Sequence, residues 1–167
     1  MSHICATLLL LCYQPNIIDL EHQFVEEVKQ CAIKYNAMIE PHDRIPIVLV
    51  IAQAIQETGY GTSRFYKEAN NLFGIIALEG EDYIVSLKDE DKKLRRYETK
   101  CDSVNHYMNM LVTDINYKEF QEILINQYIT NKINVNKLIP SLYNYAEDQF
   151  YGRKLRRIVK KVQNNYL

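Results

Sequence analysis

There is no tryptophan in these 167 residues, glycine occurs only five times, and proline and cysteine only four times each. So little glycine and proline excludes a collagen-like or low-complexity chain. The cysteines, Cys5, Cys12, Cys31 and Cys101, form no C-x-x-C pair and have no histidine at metal-ligand spacing. Buried free thiols are therefore expected in preference to a disulfide framework or a metal site. The apolar segment "ICATLLLLCY", Ile4 to Tyr13, falls short of the roughly 20 residues that cross a bilayer. No Lys or Arg precedes it and no clean small-residue cleavage site follows, so residues 1–20 read as either a degenerate signal peptide or a buried arm. Excess charge is lacking too. Lys and Arg number 20 against 21 for Asp and Glu, a balance that sets up no overall field for nucleic acid or an anionic membrane.

The remaining residues, 21–167, suffice for a single domain with one core. Charge is nonetheless local. Glu79, Glu81, Asp82, Asp89, Glu90 and Asp91 make the middle acidic, and Arg153, Lys154, Arg156, Arg157, Lys160 and Lys161 make the end basic. The basic run reads as a solvated helix face or a patch drawn to anionic polymers, with a helical nucleic-acid binder as a competing reading. Thirteen tyrosines offer flat apolar faces with a hydroxyl, suited to core edges and to polar rings alike.

Periodicity gives the organisation. "IDLEHQFVEEVKQCAIKY" places Leu20, Phe24, Val28, Cys31 and Ala32 on one helical stripe. "IEPHDRIP" breaks it, and Pro46 then suits a first helical position with Asp43 near enough to meet free backbone donors. From Ile47 to Ile55 nearly every residue is apolar, which predicts a central helix buried all round and ending at Gly59 and Gly61. A short helix follows, capped by Thr62 or Ser63 and with Phe65 packing inward, then a turn at "NNLFG". "IIALEGEDYIVSL" reads as a hairpin around Glu79 to Asp82, and "KLRRYE" as a third strand. Beyond Ser103 helical spacing returns in Val104, Tyr107, Met108, Leu111 and Ile115, then in Phe120, Ile123 and Leu124. It continues in Leu138, Ile139 and Leu142, and in Leu155, Ile158 and Val162. The fold class is α+β, mostly helical, with a small inserted antiparallel β-lobe beside a cleft.

"AQAIQETGYGTSRF" ends the apolar helix on a carboxylate, Glu57. Burial and the partially negative helix C-terminus both disfavour the charged form, so its pKa is expected to rise. A carboxyl protonated near neutral pH is a candidate general acid.

The stretch "LVIAQAIQETGYGTSRFYKEANNLFGI" resembles the signature of the peptidoglycan-cleaving N-acetylglucosaminidases of the glucosaminidase superfamily, both Bax-like and flagellar-muramidase-like. "RRYETKCDSVNHYMNML", "NYKEF" and "LIPSLYNYAEDQFYGRKLRRIV" are similar to its later segments, so the likeness covers roughly Ile45 to Val159. The resemblance implies a lysozyme-like fold and an endo-acting hydrolase of the β-1,4 bond on the reducing side of N-acetylglucosamine, with Glu57 as general acid. It implies Tyr145 near the reacting sugar, and Tyr60, Gly61, Ser63, Asn71, Phe73, Gly74 and Tyr97 as substrate-binding residues. Asn71 also reads as an Asx residue that only stabilises its turn, Phe73 as core, and Tyr145 as helix packing. A second carboxylate on the β-lobe is implied. Spacing offers Glu90 and Asp91, the first hairpin offers Glu79 and Glu81, and Glu90 is preferred. The implied partners are peptidoglycan glycan strands, with no metal, no cofactor, no nucleic acid and no membrane insertion. The chain is then a monomer unless part of a larger assembly, placed at the cell envelope, outside the cell, or encoded by a phage. Muramidase or lytic transglycosylase activity, and a weakly active glycan-binding module of a phage or envelope assembly, are the alternatives.

Overall fold

A computed structural model describes residues 16–87, 89–143, 145 and 148–167. The apolar segment Ile4 to Tyr13, with Cys5 and Cys12, lies outside the described residues. Helix α1 spans Ile17–Met38, and its start is fixed by a reciprocal capping box between Asn16 and Asp19. Residues 17–20 thus form the first turn of α1. Its buried face carries Phe24, Val25, Val28, Cys31, Ala32 and Tyr35. Leu20, expected on that stripe, is 49% exposed, because the stripe starts one turn later than spacing suggests.

Helix α2, Ile47–Thr58, is the axis of the molecule. Every residue from Val48 to Ile55 is buried, and α1 and α7 (Tyr151–Asn165) pack against it. Pro46 is the N-cap of α2, one place before the expected first helical position. Asp43 does not cap α2, because it is taken up in a 3-10 turn, Pro41–Asp43. Gly59 ends α2 in the left-handed conformation, φ 57°, as expected of a C-terminal glycine. Helix α3, Arg64–Ala69, is capped by Ser63, whose hydroxyl accepts from the Tyr66 N–H.

The β-lobe is smaller than expected and differently paired. Strands β1, Tyr83–Val85, and β2, Lys93–Arg95, are antiparallel with Ile84 opposite Leu94. Ile76 bridges to Leu94 on the other side of β2, with the Ala77 N–H donating to the Lys93 carbonyl and the Arg95 N–H to the Ile75 carbonyl. The hairpin therefore joins β1 directly to β2, and the segment around Glu79 to Asp82 crosses from one edge of β2 to the other. Period-2 alternation marks a strand but not its neighbour, which is why the sequence misplaced the turn. Ala69, Ile84 and Leu94, with Phe65 against them, form a separate small core that seats the lobe on α3.

Helix α4, Lys100–Thr113, buries Val104, Tyr107, Met108 and Leu111, and Thr99 and Asp102 cap it reciprocally. Ile115, expected on this face, lies in the following 3-10 turn, Ile115–Tyr117, and is exposed. Helices α5, Lys118–Ile129, and α6, Val135–Leu138, and the 3-10 turn Ile139–Leu142 complete the described helical body before α7. Cys31 and Cys101 form a disulfide between α1 and the first turn of α4. This corrects the expectation of free thiols. The two helices pack side by side and bring Cα atoms 70 residues apart in sequence to 5.1 Å. Among the described residues no helix is long and apolar enough to cross a membrane, and no cluster of His, Cys, Asp and Glu could hold a metal ion.

Candidate active site

Glu57 sits in the last turn of α2, and the chain leaves that turn through three successive positive-φ residues, Gly59, Tyr60 and Gly61. Thr58 holds the exit, its hydroxyl donating to the Ala54 carbonyl at 2.6 Å and accepting from the Gly61 N–H at 3.0 Å. A Cβ on Gly61 would fall 2.7 Å from the Tyr66 ring and 2.8 Å from that of Phe24, so glycine is required there by space as well as by conformation.

Opposite this exit, Asn71 ties the turn before the lobe to β2. Its amide donates to the carbonyls of Ile75 and Arg95, and its oxygen accepts from the N–H groups of Phe73 and Ile75. Gly74 follows in the left-handed region, where a Cβ would lie only 4.0 Å from Glu57 Oε2.

Between these elements lies a cleft of about 390 Å³. Glu57, Ser63 and Phe65 line it from the helices, Asn71 and Gly74 from the turn, and Ser86, Asp89, Lys92 and Leu94 from the lobe. Burial pushes the Glu57 pKa above its ordinary value, while the Tyr151 hydroxyl and the charge of Lys92 pull the other way. Burial wins, so the proton is held more tightly than on a free glutamate. A larger cavity, about 800 Å³, lies between α5 and α6, lined by Glu122, Gln127, Lys132 and Lys137 among others, and gathers none of the motif residues.

The expected site residues separate into three groups. Glu57, Ser63, Asn71 and Gly74 share the cleft. Tyr145 and Phe73 lie behind it. The Tyr145 hydroxyl donates to the Phe73 carbonyl, and the Phe73 ring stacks on Tyr107 at 4.0 Å in the core. Burial raises the Tyr145 pKa well above the usual range, so its hydroxyl acts as a neutral donor.

Tyr60, Gly61 and Tyr97 face elsewhere. Tyr60 and Gly61 line a groove against α1, where the Lys161 ammonium stands 4.5 Å from the centre of the Tyr60 ring. The Tyr97 hydroxyl is 2.7 Å from His106 Nδ1, on the side of the lobe toward α4. Glu90 is exposed and does not line the cleft. Its neighbour Asp89 does, in a turn where its Oδ1 accepts from the Asp91 N–H. Glu81 is engaged with Arg95 at 2.7 Å. Sequence spacing locates this acidic turn but not which of three consecutive acids points inward.

Sequence reasoning also missed Gln53, Tyr107 and Tyr151. Gln53 lies one helical turn before Glu57 on the same face of α2, an i, i+4 relation that was legible, whereas its tyrosine partners come from distant helices.

The chain is similar to known proteins in sequence and in fold. The chain is 30% identical over 90 residues to the protein Bax of Escherichia coli, an alignment covering 54% of this chain and 32% of Bax. It is 27% identical over 157 residues to the exo-glucosaminidase LytG of Bacillus subtilis, covering 86% of this chain and 52% of LytG. The chain thus spans a third to a half of the length of these curated relatives. In fold it is similar to the catalytic domain of the autolysin Auto from Listeria monocytogenes, with TM-score 0.65, 19% identity, and 92% and 88% of the two chains covered. It is likewise similar to the glycoside hydrolase domain of Salmonella typhimurium FlgJ, with TM-score 0.65, 20% identity, and 86% and 89% covered. Residues 34–164 match the glucosaminidase family, described as mannosyl-glycoprotein endo-beta-N-acetylglucosaminidase, and it is to this family that the chain belongs.

Proposed function

We propose that the protein hydrolyses the β-1,4 bond on the reducing side of N-acetylglucosamine in bacterial peptidoglycan, with Glu57 as the general acid. The observation that carries this reading is a carboxyl whose proton is retained by burial, set at the edge of a cleft whose opposite wall presents a second, exposed carboxyl, Asp89. Glu57 gives its proton to the leaving glycosidic oxygen, and the resulting carboxylate is met by the Tyr151 hydroxyl and the Lys92 charge. Asp89, in place of Glu90, is the lobe acid positioned to activate water. Tyr145 serves from behind, holding the Phe73 carbonyl and with it the turn that carries Gly74 past Glu57.

The glucosaminidase and autolysin relatives support peptidoglycan strands as the substrate, and hence action at the cell envelope or outside the cell. The Cys31–Cys101 disulfide fits such an oxidising compartment.

Digestion of purified sacculi by wild type beside Glu57→Gln tests the reading. Hydrolysis by the wild type should leave N-acetylglucosamine at the new reducing ends, and the variant should lose at least about a hundredfold in rate while keeping its fold. New reducing ends of muramic acid, or an anhydro product, would replace it with the muramidase or lytic transglycosylase reading. Full activity in Glu57→Gln would remove Glu57 from the chemistry.

A further inference from the structure

Four polar side chains from three helices meet end to end beneath the cleft. Tyr107, from α4, donates its hydroxyl proton to Gln53 Oε1. Gln53 Nε2 donates to the Tyr151 hydroxyl oxygen at 3.0 Å, and the hydroxyl of Tyr151, the first residue of α7, faces Glu57 and favours its charged form. Gln53 is 0% exposed, and so is Tyr107. Neither is open to bulk solvent, so a lost bond is costly at either of them.

Burial fixes the direction of this chain. Flipping the Gln53 amide would turn an N–H toward the Tyr107 oxygen, deprive the buried Tyr107 proton of its acceptor, and draw the Tyr151 proton away from Glu57. An unsatisfied buried donor costs about 1–3 kcal/mol, so the arrangement in which the Tyr107 proton keeps its acceptor wins. With Gln53 donating to the Tyr151 oxygen, the Tyr151 proton is left to point at Glu57.

We propose that Gln53 is a positioning residue for Glu57: held by Tyr107, it orients Tyr151 so that the Tyr151 hydroxyl always donates to the Glu57 carboxyl. The role assigned to the acid rests on the function proposed above, whereas the hydrogen-bond chain does not. Its consequence is a compromise in acid strength. Burial strengthens the hold on the Glu57 proton, and a fixed O–H donor stabilises the carboxylate that release creates. The charged and titratable groups that face Glu57 are Tyr151 from α7, Tyr107 from α4, Tyr145 from the segment before α7, and Lys92 and Asp89 from the lobe.

The test is the titration of the Glu57 carboxyl carbon by NMR in the full chain, beside the pH dependence of kcat/KM on sacculi. Tyr151→Phe should raise the Glu57 pKa by about one unit and move the alkaline limb of kcat/KM upward by the same amount. Gln53→Met should move both in the same direction by a smaller amount, since Tyr151 keeps its proton but loses its orientation. Tyr35→Phe, which removes a hydroxyl bonded to Asn109 on another face, should move neither. An unchanged Glu57 titration in folded Tyr151→Phe would overturn the proposal, and that variant decides the matter if Gln53→Met does not fold. A shifted titration in a protein that leaves sacculi intact would uphold the hydrogen-bond chain and overturn the proposed function instead.

Discussion

At the scale of single residues, the raised pKa of Glu57 makes a statement about stability as well as chemistry. Its ordinary value is 4.5, and the folded protein holds the proton to higher pH. Between those two values the native state binds more protons than the unfolded chain, so stability falls as pH rises through that window. Above it Glu57 is a charged group in a site that disfavours charge. Glu57→Gln should therefore melt no lower than wild type at low pH, pull progressively above it as pH rises from 4.5 through the folded pKa, and keep a constant lead beyond. Thermal melts of both proteins from pH 4 to pH 8 check this, and a gap that closes with rising pH would contradict it. The lobe acids make a second residue-scale case. Asp89→Asn should lower turnover by about a hundredfold, the usual size of acid–base assistance, with little change in melting temperature because Asp89 is exposed. Glu90→Gln, one residue further along and outside the cleft lining, should digest sacculi at the wild-type rate.

At the scale of elements, the cleft exists because the turn at residues 70–74 locks the lobe to the helices. Asn71 is 1% exposed and uses its side chain for four backbone groups, three of them on the strand side at Ile75 and Arg95. Asn71→Ala leaves those groups unpaired and should cost about 3 kcal/mol, with early exchange of the amides of β2 and its neighbours. The loss should be larger in the lobe than in α2, which keeps its own ladder and core. Hydrogen exchange distinguishes this from a uniform loss. The α2 exit is equally constrained, and Gly61→Ala meets both a positive φ of 76° and two aromatic rings, for a cost of about 1–3 kcal/mol.

For the molecule as a whole, the disulfide closes a large loop between α1 and α4. Chain-entropy reasoning gives such a bridge about 4 kcal/mol through the unfolded state. The double substitution Cys31→Ser with Cys101→Ser should lower the melting temperature by on the order of 10 °C while leaving the cleft and its activity intact, because both sulfurs lie outside the cleft lining. Melting of the oxidised and reduced wild type gives the same comparison without mutation.

What the sequence determined is what neighbouring residues decide among themselves. An apolar run long enough for a buried helix, a glycine to end it, and a carboxylate in its last turn placed Glu57 and raised its pKa before any contact was known. Helix period and turn chemistry likewise gave α1, α4, α7 and the turn at Asn71, since each depends on residues within a turn or two of one another. Tertiary structure decided the rest. Which strand lies between its neighbours, whether Cys31 meets Cys101, which of three consecutive acids faces the cleft, and how Tyr107 and Tyr151 close on Gln53 all depend on how helices and lobe pack. Those meetings join residues up to 98 positions apart, at Gln53 and Tyr151. Their partners are chosen by the shape and burial of the whole core, a property that no local stretch of chain contains.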